Sequence, residues 1–164
     1  MKTTKSPEEA RFIQLLEKAR RFCAFRERSA AETKVKLLQS GAGKEEVGKV
    51  LEQLKEEGFL NDFRFASAFA RGKFNQNQWG KEKIARELAA HGVTSEASQE
   101  AFREIDNDIY IQTLQNIVRK KLETLEGEPD FIRRGKTVEF CLRKGFELNL
   151  ILQVVDSLLN IKTP

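Results

Sequence analysis

A single histidine, His91, and two cysteines, Cys23 and Cys141, are all this chain offers beyond carboxylates, amines and hydroxyls for catalysis or metal binding. The cysteines lack CxxC spacing, and one histidine cannot complete a zinc set with them. Both fall on apolar helical stripes, where a cysteine acts as a small hydrophobe. His91 lies in line with Ile84 and Leu88 and just before Gly92, the place of a helix C-terminal residue that favours the dipole. Gly41-Ala-Gly43-Lys44 is too short for a phosphate-binding GxxxxGK[ST] loop and follows a helical run instead of a strand. The expectation is therefore a non-enzyme with no catalytic residue, metal site or cofactor.

The basic residues point elsewhere. Lys and Arg number 29 against 25 Asp and Glu, a net charge of +4. Arg20, Arg21, Arg26 and Arg28 straddle the end of the first helical run. Lys34/Lys36, Arg71/Lys73, Lys81/Lys83/Arg86, Arg119–Lys121, Arg133/Arg134/Lys136 and Arg143/Lys144 continue the pattern. One reading is a set of solvated helix faces, with Glu82–Arg86 and Lys83–Glu87 spaced for i,i+4 ion pairs. The other is a continuous surface for an anionic partner, favoured because the clusters recur at related places. Trp79 and Tyr110 each fall at a predicted helix start, packing the entry or facing a partner.

These side chains would be carried by helices. Ser6-Pro7-Glu8-Glu9 is a capping box with proline at the first helical position, and the run behind it is amphipathic to about Phe25. Ser29 with Glu32 forms a second capping box, opening a helix that stops at Gly41. A third helix is expected from Lys44 to Glu57. The plan then repeats. Asn61 or Asp62 caps a helix with Phe63, Ala66, Ala70 and Phe74 inward. After the polar break Asn75-Gln-Asn-Gln78 comes a helix from Trp79 to His91, then one capped by Thr94 or Ser95 and reaching Ile105. The last group begins near Asp106–Asp108 and continues with helices over Phe131–Lys144 and Glu147–Asn160. The twelve Phe mostly fall on apolar stripes and read as core.

The repeat is quantitative. Gly41 to Gly92 and Leu54 to Ile105 are both shifts of 51, and Gly92 to Gly145 and Ala101 to Val154 are both shifts of 53. Ala66, Ala70 and Phe74 instead map onto Leu114, Val118 and Leu122 at a shift of 48, implying a longer connection near Gly127-Glu-Pro129-Asp. The expected fold is all-α: three tandem three-helix repeats, over 1–60, 61–105 and 106–164, forming an elongated, curved array. The N-terminal stretch has no signal-like apolar core, and no run approaches the roughly 20 apolar residues of a membrane span. A cytoplasmic protein with no membrane partner is expected. With no coiled-coil seam, a monomer is the simplest state.

Three segments, and more weakly a fourth, resemble the RecX family of bacterial recombination regulators. Arg26-Glu-Arg28-Ser29 with Glu32 and Leu37 is similar to that family's R-x-R-S opening, although Ala30-Ala31-Glu32-Thr33 stands where a Glu-Leu pair is more usual. Gly58-Phe-Leu-Asn61-Asp62-Phe-Arg64-Phe65-Ala66 resembles its G-Y/F-L-D/N-D-x-R-F-A stretch. Gly80-Lys-Glu-Lys-Ile84-Ala-Arg86-Glu87-Leu88-Ala-Ala-His-Gly92-Val93 resembles its G-x-x-x-I-x-x-E-L-x-x-x-G-I. Arg143-Lys144-Gly145-Phe146 with Ile151 is similar to the last module's R-R/K-G-F-x-x-x-x-I. The resemblance implies three tandem three-helix repeats and a protein that binds the RecA recombinase filament in its groove. It also implies inhibition of the filament's ATPase and co-protease activities in DNA repair, and in some members binding of single- or double-stranded DNA. The candidate contacts are Arg26, Arg28, Arg64, Arg71, Lys73, Lys81, Lys83, Arg86, Arg143 and Lys144. The alternatives are a helix-turn-helix DNA-binding regulator and a generic α-helical scaffold.

Overall fold

Side-chain caps set most of the helix starts. Ser6, Ser29, Asn61, Thr94 and Asp106 each accept a hydrogen bond from the backbone N–H three residues on. They open α1 (Pro7–Phe25), α2 (Ala30–Gln39), α4 (Asp62–Asn77), α6 (Ser95–Arg103) and α7 (Asn107–Thr124). Glu9 and Glu32 close capping boxes on α1 and α2. Glycines precede α3 (Lys44–Glu56) and α5 (Lys81–Ala90), while Pro129 and Glu147 precede α8 (Asp130–Lys144) and α9 (Leu148–Leu158). The computed structural model describes residues 4–161, and among these the regular structure is all helical. The ends of the N-terminal stretch and of the third predicted unit, residues 1–3 and 162–164, lie outside the described residues.

The shifts read in the sequence carry buried positions onto one another. Thr33 and Leu37 of α2 correspond to Ile84 and Leu88 of α5 and to Thr137 and Cys141 of α8, and all six are buried. Gly41, Gly92 and Gly145 have φ of +86°, +78° and +92°, so each unit turns from its second to its third helix through a left-handed residue. The substantial helix packings are those within α1–α3, within α4–α6 and within α7–α9. The chain is a tandem array of three-helix units.

Several local expectations change. The polar stretch Asn75–Asn77 continues α4, which ends only where Gln78 adopts φ +55°. Consequently Trp79 lies in the connection and α5 begins at Lys81, not Trp79. The five-residue expansion is taken up mostly by a helix: α8 has 15 residues where α2 and α5 have 10 each. Only four of the twelve phenylalanines are buried, Phe65, Phe74, Phe102 and Phe146. Phe63, expected to face inward, is exposed, because Phe65 and Ala66 take the inner face of α4.

The interior divides unevenly. The first unit closes its own core around Leu16, Ala19, Cys23, Leu37, Val50 and Leu54. The second and third units share a single core running from Phe65 to Val155. Both cysteines are buried and free, and burial pushes the Cys141 thiol up to about 11.

One junction is used twice. The start of α2 meets the end of α5, where Ser29 Oγ lies 3.2 Å from His91 Nδ1. The start of α5 meets the end of α8, where Gly80 N–H donates to the Lys144 carbonyl at 2.8 Å and Glu82 N–H to that of Gly145 at 3.0 Å. Gly80 occupies the repeat position of Ser29, and Lys144 that of His91. At each junction a positive helix N-terminus faces a negative C-terminus, and between α5 and α8 this lets orphan backbone donors and acceptors satisfy each other. The second helices thus form a discontinuous spine, and units meet only their neighbours. The chain exposes 10686 Å², against about 8,300 Å² for a compact monomer of 18.8 kDa. The excess is that of an elongated molecule.

Candidate functional site

The junction between the second and third units gathers cations and aromatic rings. Gln78 turns the chain back at the end of α4, and Trp79 N–H donates to the Lys73 carbonyl. The Trp79 ring is flanked by two ammonium groups, Lys73 Nζ at 4.9 Å and Lys83 Nζ at 4.2 Å from its centroid. Lys73 also lies 5.5 Å from the Phe69 ring. From α8, Lys144 Nζ donates to the Asn77 carbonyl at 3.2 Å.

Tyr110 underpins this surface from α7. Its hydroxyl accepts the Lys81 N–H at 3.0 Å and donates to Glu147 Oε2 at 2.6 Å. Lys81 Nζ stands 4.5 Å from the Tyr110 centroid. Burial, and then the Glu147 carboxylate, push the Tyr110 phenol well above its usual range, so it stays a donor. One side chain therefore ties the first turn of α5 to the cap of α9.

The backbones approach too closely for any side chain here. A Cβ on Gly80 would run into the Gly145 carbonyl and Phe146 N, and one on Gly145 into Lys83. The shared core, the Tyr110 bridge and this backbone contact join the second and third units into one platform. Its cations present positive charge held over π faces, an arrangement suited to carboxylates or phosphates.

Of the predicted residues, Lys73, Lys81, Lys83 and Lys144 are brought together here. Arg71 and Arg86 are exposed and form no ion pair among the described residues, and the predicted Glu82–Arg86 and Lys83–Glu87 pairs do not close. Arg143 pairs with Glu139 at 3.7 Å. The other three lie in or beside the opposite junction. Arg26 bonds Glu32 at 2.9 Å, and Arg28 donates to the Phe22 carbonyl. Arg64 bonds Glu27 at 2.9 Å and the Gly58 carbonyl at 2.6 Å, tying α4 to the first unit. His91, at the C-terminal end of α5, also packs there, with ring centroids 5.2 Å from Phe65 and 5.5 Å from Phe69.

Sequence reasoning missed the Tyr110–Glu147 bridge and the apposition of Gly80 with Gly145. A signal for the second existed: Gly80 stands where a capping side chain is expected, and a glycine there admits another backbone. Among the described residues no group of three or more His, Cys, Asp or Glu could hold a metal ion, and no helix is long and apolar enough to cross a membrane. A hollow of about 820 Å³ lies between the starts of α1 and α3, away from this junction. The Glu9 and Glu46 carboxylates on its wall cap backbone N–H groups of Ser6 and Gly43.

Comparison with known proteins bears on what such a platform serves. Residues 61–101 match the family model described as RecX, second three-helix domain, and residues 108–155 that of RecX, third three-helix domain. The regulatory protein RecX of Prosthecochloris aestuarii is 34% identical over 144 residues, covering 88% of this chain and 93% of that protein. That of Xanthomonas axonopodis pv. citri is 31% identical over 126 residues, covering 77% and 76%. The crystal structure of RecX from Lactobacillus salivarius superposes with a TM-score of 0.80 at 17% identity, covering 92% of this chain and 97% of that one. At that identity the likeness is one of fold. A second crystal structure, of regulatory protein RecX, gives 0.79 at 18% identity, with 96% and 81% covered.

Proposed function

The chain belongs to the RecX family of regulatory proteins, and we propose that it binds the RecA recombinase filament on DNA and restrains it. The observation that carries this reading is the cationic, aromatic-backed seam where the second and third units join. An elongated array of units in contact only with their neighbours reaches across several protomers of a helical filament. The seam offers ammonium groups either to acidic recombinase surfaces or to DNA phosphates. A bound array that spans adjacent protomers opposes their rearrangement during ATP turnover, and one seated at a filament end blocks further addition. Such regulation requires a difference in affinity between filament states, with no chemistry on the regulator.

The seam residues Lys73 and Lys83 are the first to test. Arg64 serves the reading less well, since its guanidinium already holds Glu27 and the Gly58 carbonyl. The experiment adds purified protein to RecA filaments preformed on single-stranded DNA and follows ATP hydrolysis and filament length. Slowing at well below one chain per protomer is expected, and the double substitution Lys73→Glu/Lys83→Glu should weaken it with the helical circular-dichroism spectrum unchanged. No slowing by the unaltered chain sinks the recombinase reading, and undiminished slowing by the double variant sinks the seam. The same titration on DNA without recombinase separates a filament effect from DNA binding alone.

A further inference from the structure

Phe25, the last residue of α1, is the most exposed of the large hydrophobic side chains among the described residues, at 84%. One turn back, half-buried Phe22 lines a shallow hollow of about 380 Å³ together with Val35 and Lys36 of α2. Val35 is itself exposed. The rings carry cations: the Arg28 guanidinium lies 3.9 Å from the Phe22 centroid and 6.0 Å from that of Phe25, and Lys36 Nζ lies 5.7 Å from Phe22.

These charges have no carboxylate of their own. Neither Arg28 nor Lys36 forms an ion pair among the described residues. The one acid on the wall, Glu32, is held by Arg26 and by the Ser29 N–H. Arg28 is fixed through Nε to the Phe22 carbonyl at 3.1 Å. Its two Nη groups make no hydrogen bond among the described residues, leaving donors for a carboxylate on a guanidinium already in place.

We propose that this strip on the first unit docks an acidic segment of a partner protein, in which an aliphatic or aromatic side chain is flanked by carboxylates. The apolar side chain covers Phe25 and Val35, and the carboxylates reach Arg28 and Lys36. Charge complementarity selects the occupant. Nucleic-acid affinity grows with the number of phosphates neutralised, and two cations set among exposed apolar side chains are a poor phosphate track compared with the α5–α8 seam. A second copy of the chain would bring the same two cations to a two-fold contact and repel itself. The strip is thus distinct from the seam, and its occupancy is separable from the regulatory reading.

The test uses the full chain and a short fluorescein-labelled peptide carrying Leu and Phe among Asp and Glu, followed by fluorescence anisotropy. Binding is expected, and Phe25→Ser should weaken it roughly tenfold, as for removal of a buried anchor. Arg28→Glu should weaken it at least as much, and Arg28→Lys less. Lys73→Glu/Lys83→Glu should leave it unchanged. Phe25 is nearly free of neighbours, so Phe25→Ser keeps the fold intact and the readout clean. No binding, or binding indifferent to Phe25→Ser and Arg28→Glu, overturns the proposal. Equal binding of a peptide with Ser in place of Leu and Phe overturns the apolar anchor. A single-stranded oligonucleotide that displaces the peptide and is itself lost with Phe25→Ser reassigns the strip to nucleic acid. A dimer in sedimentation that Phe25→Ser abolishes reassigns it to a second copy.

Discussion

Replacing Gly80 by alanine separates the two reasons a glycine can be required. Gly80 has φ −76°, which any residue adopts, so the backbone alone imposes no cost. Its added Cβ, however, meets backbone atoms of Gly145 and Phe146, which cannot rotate away. Relief requires α5 and α8 to part, stretching the Gly80–Lys144 and Glu82–Gly145 hydrogen bonds. A buried backbone donor left without a partner costs about 1–3 kcal/mol, so the pair predicts a loss near 3 kcal/mol, or roughly 15 °C in Tm for a cooperative unit of this size. Gly92→Ala is the control. Gly92 has φ +78° but nothing within 4 Å of an added Cβ, so only the left-handed backbone is charged, about 1–2 kcal/mol. Urea unfolding followed by the fluorescence of Trp79, the single tryptophan, beside the junction, measures both. A loss for Gly80→Ala no larger than that for Gly92→Ala would refute the claim that backbone contact locks the second and third units.

Two further outcomes follow from the uneven interior and from the surface ion pairs. Cys23 sits in the core of the first unit and Cys141 in the larger shared core, so in single-cysteine variants a thiol reagent should label Cys23 at lower urea than Cys141. Arg64→Ala, which removes the link to Glu27, should widen that gap, and coincident labelling throughout would mean that the chain unfolds as one body. Glu57 is held down to about 2 by hydrogen bonds from Arg20 and then Gln53. A depressed carboxylate stabilises the fold above its unfolded value of 4.5 and loses that contribution as pH falls through about 2. The first unit should therefore weaken between pH 4.5 and 2 in acid titrations of thiol labelling or circular dichroism, and Arg20→Ala should flatten this dependence.

Most of the architecture was legible because the signals are local. A cap and its N–H lie three residues apart, a buried stripe recurs every three or four, and a left-handed turn selects glycine whatever lies around it. Ser6, Ser29, Asn61, Thr94 and Asp106, with the glycines at 41, 92 and 145, accordingly set out the repeats and their register. Local signals also misled where they were ambiguous. Asn75-Gln-Asn read as a break, yet polar residues on the solvent side of α4 end nothing. The phenylalanines could be assigned to stripes but not ranked by burial, since Phe63 and Phe65 differ only in which side of one helix they take.

The candidate site was legible as a list of charges and not as an arrangement. Nothing in the sequence distinguishes Lys83, set against Trp79, from Arg64, occupied by Glu27 and the Gly58 carbonyl, because each partner is chosen by the packing of one unit on the next. The amino-acid sequence by itself determined the all-helical repeat, its turns and its excess of positive charge, since these depend on neighbours within a few residues. Only the tertiary structure decided that α2, α5 and α8 meet end to end, that two units share a core while the first keeps its own, and which cations remain unpaired. Those outcomes depend on contacts such as Gly80 with Gly145 and Ser29 with His91, between residues more than a full repeat apart, where no local rule applies.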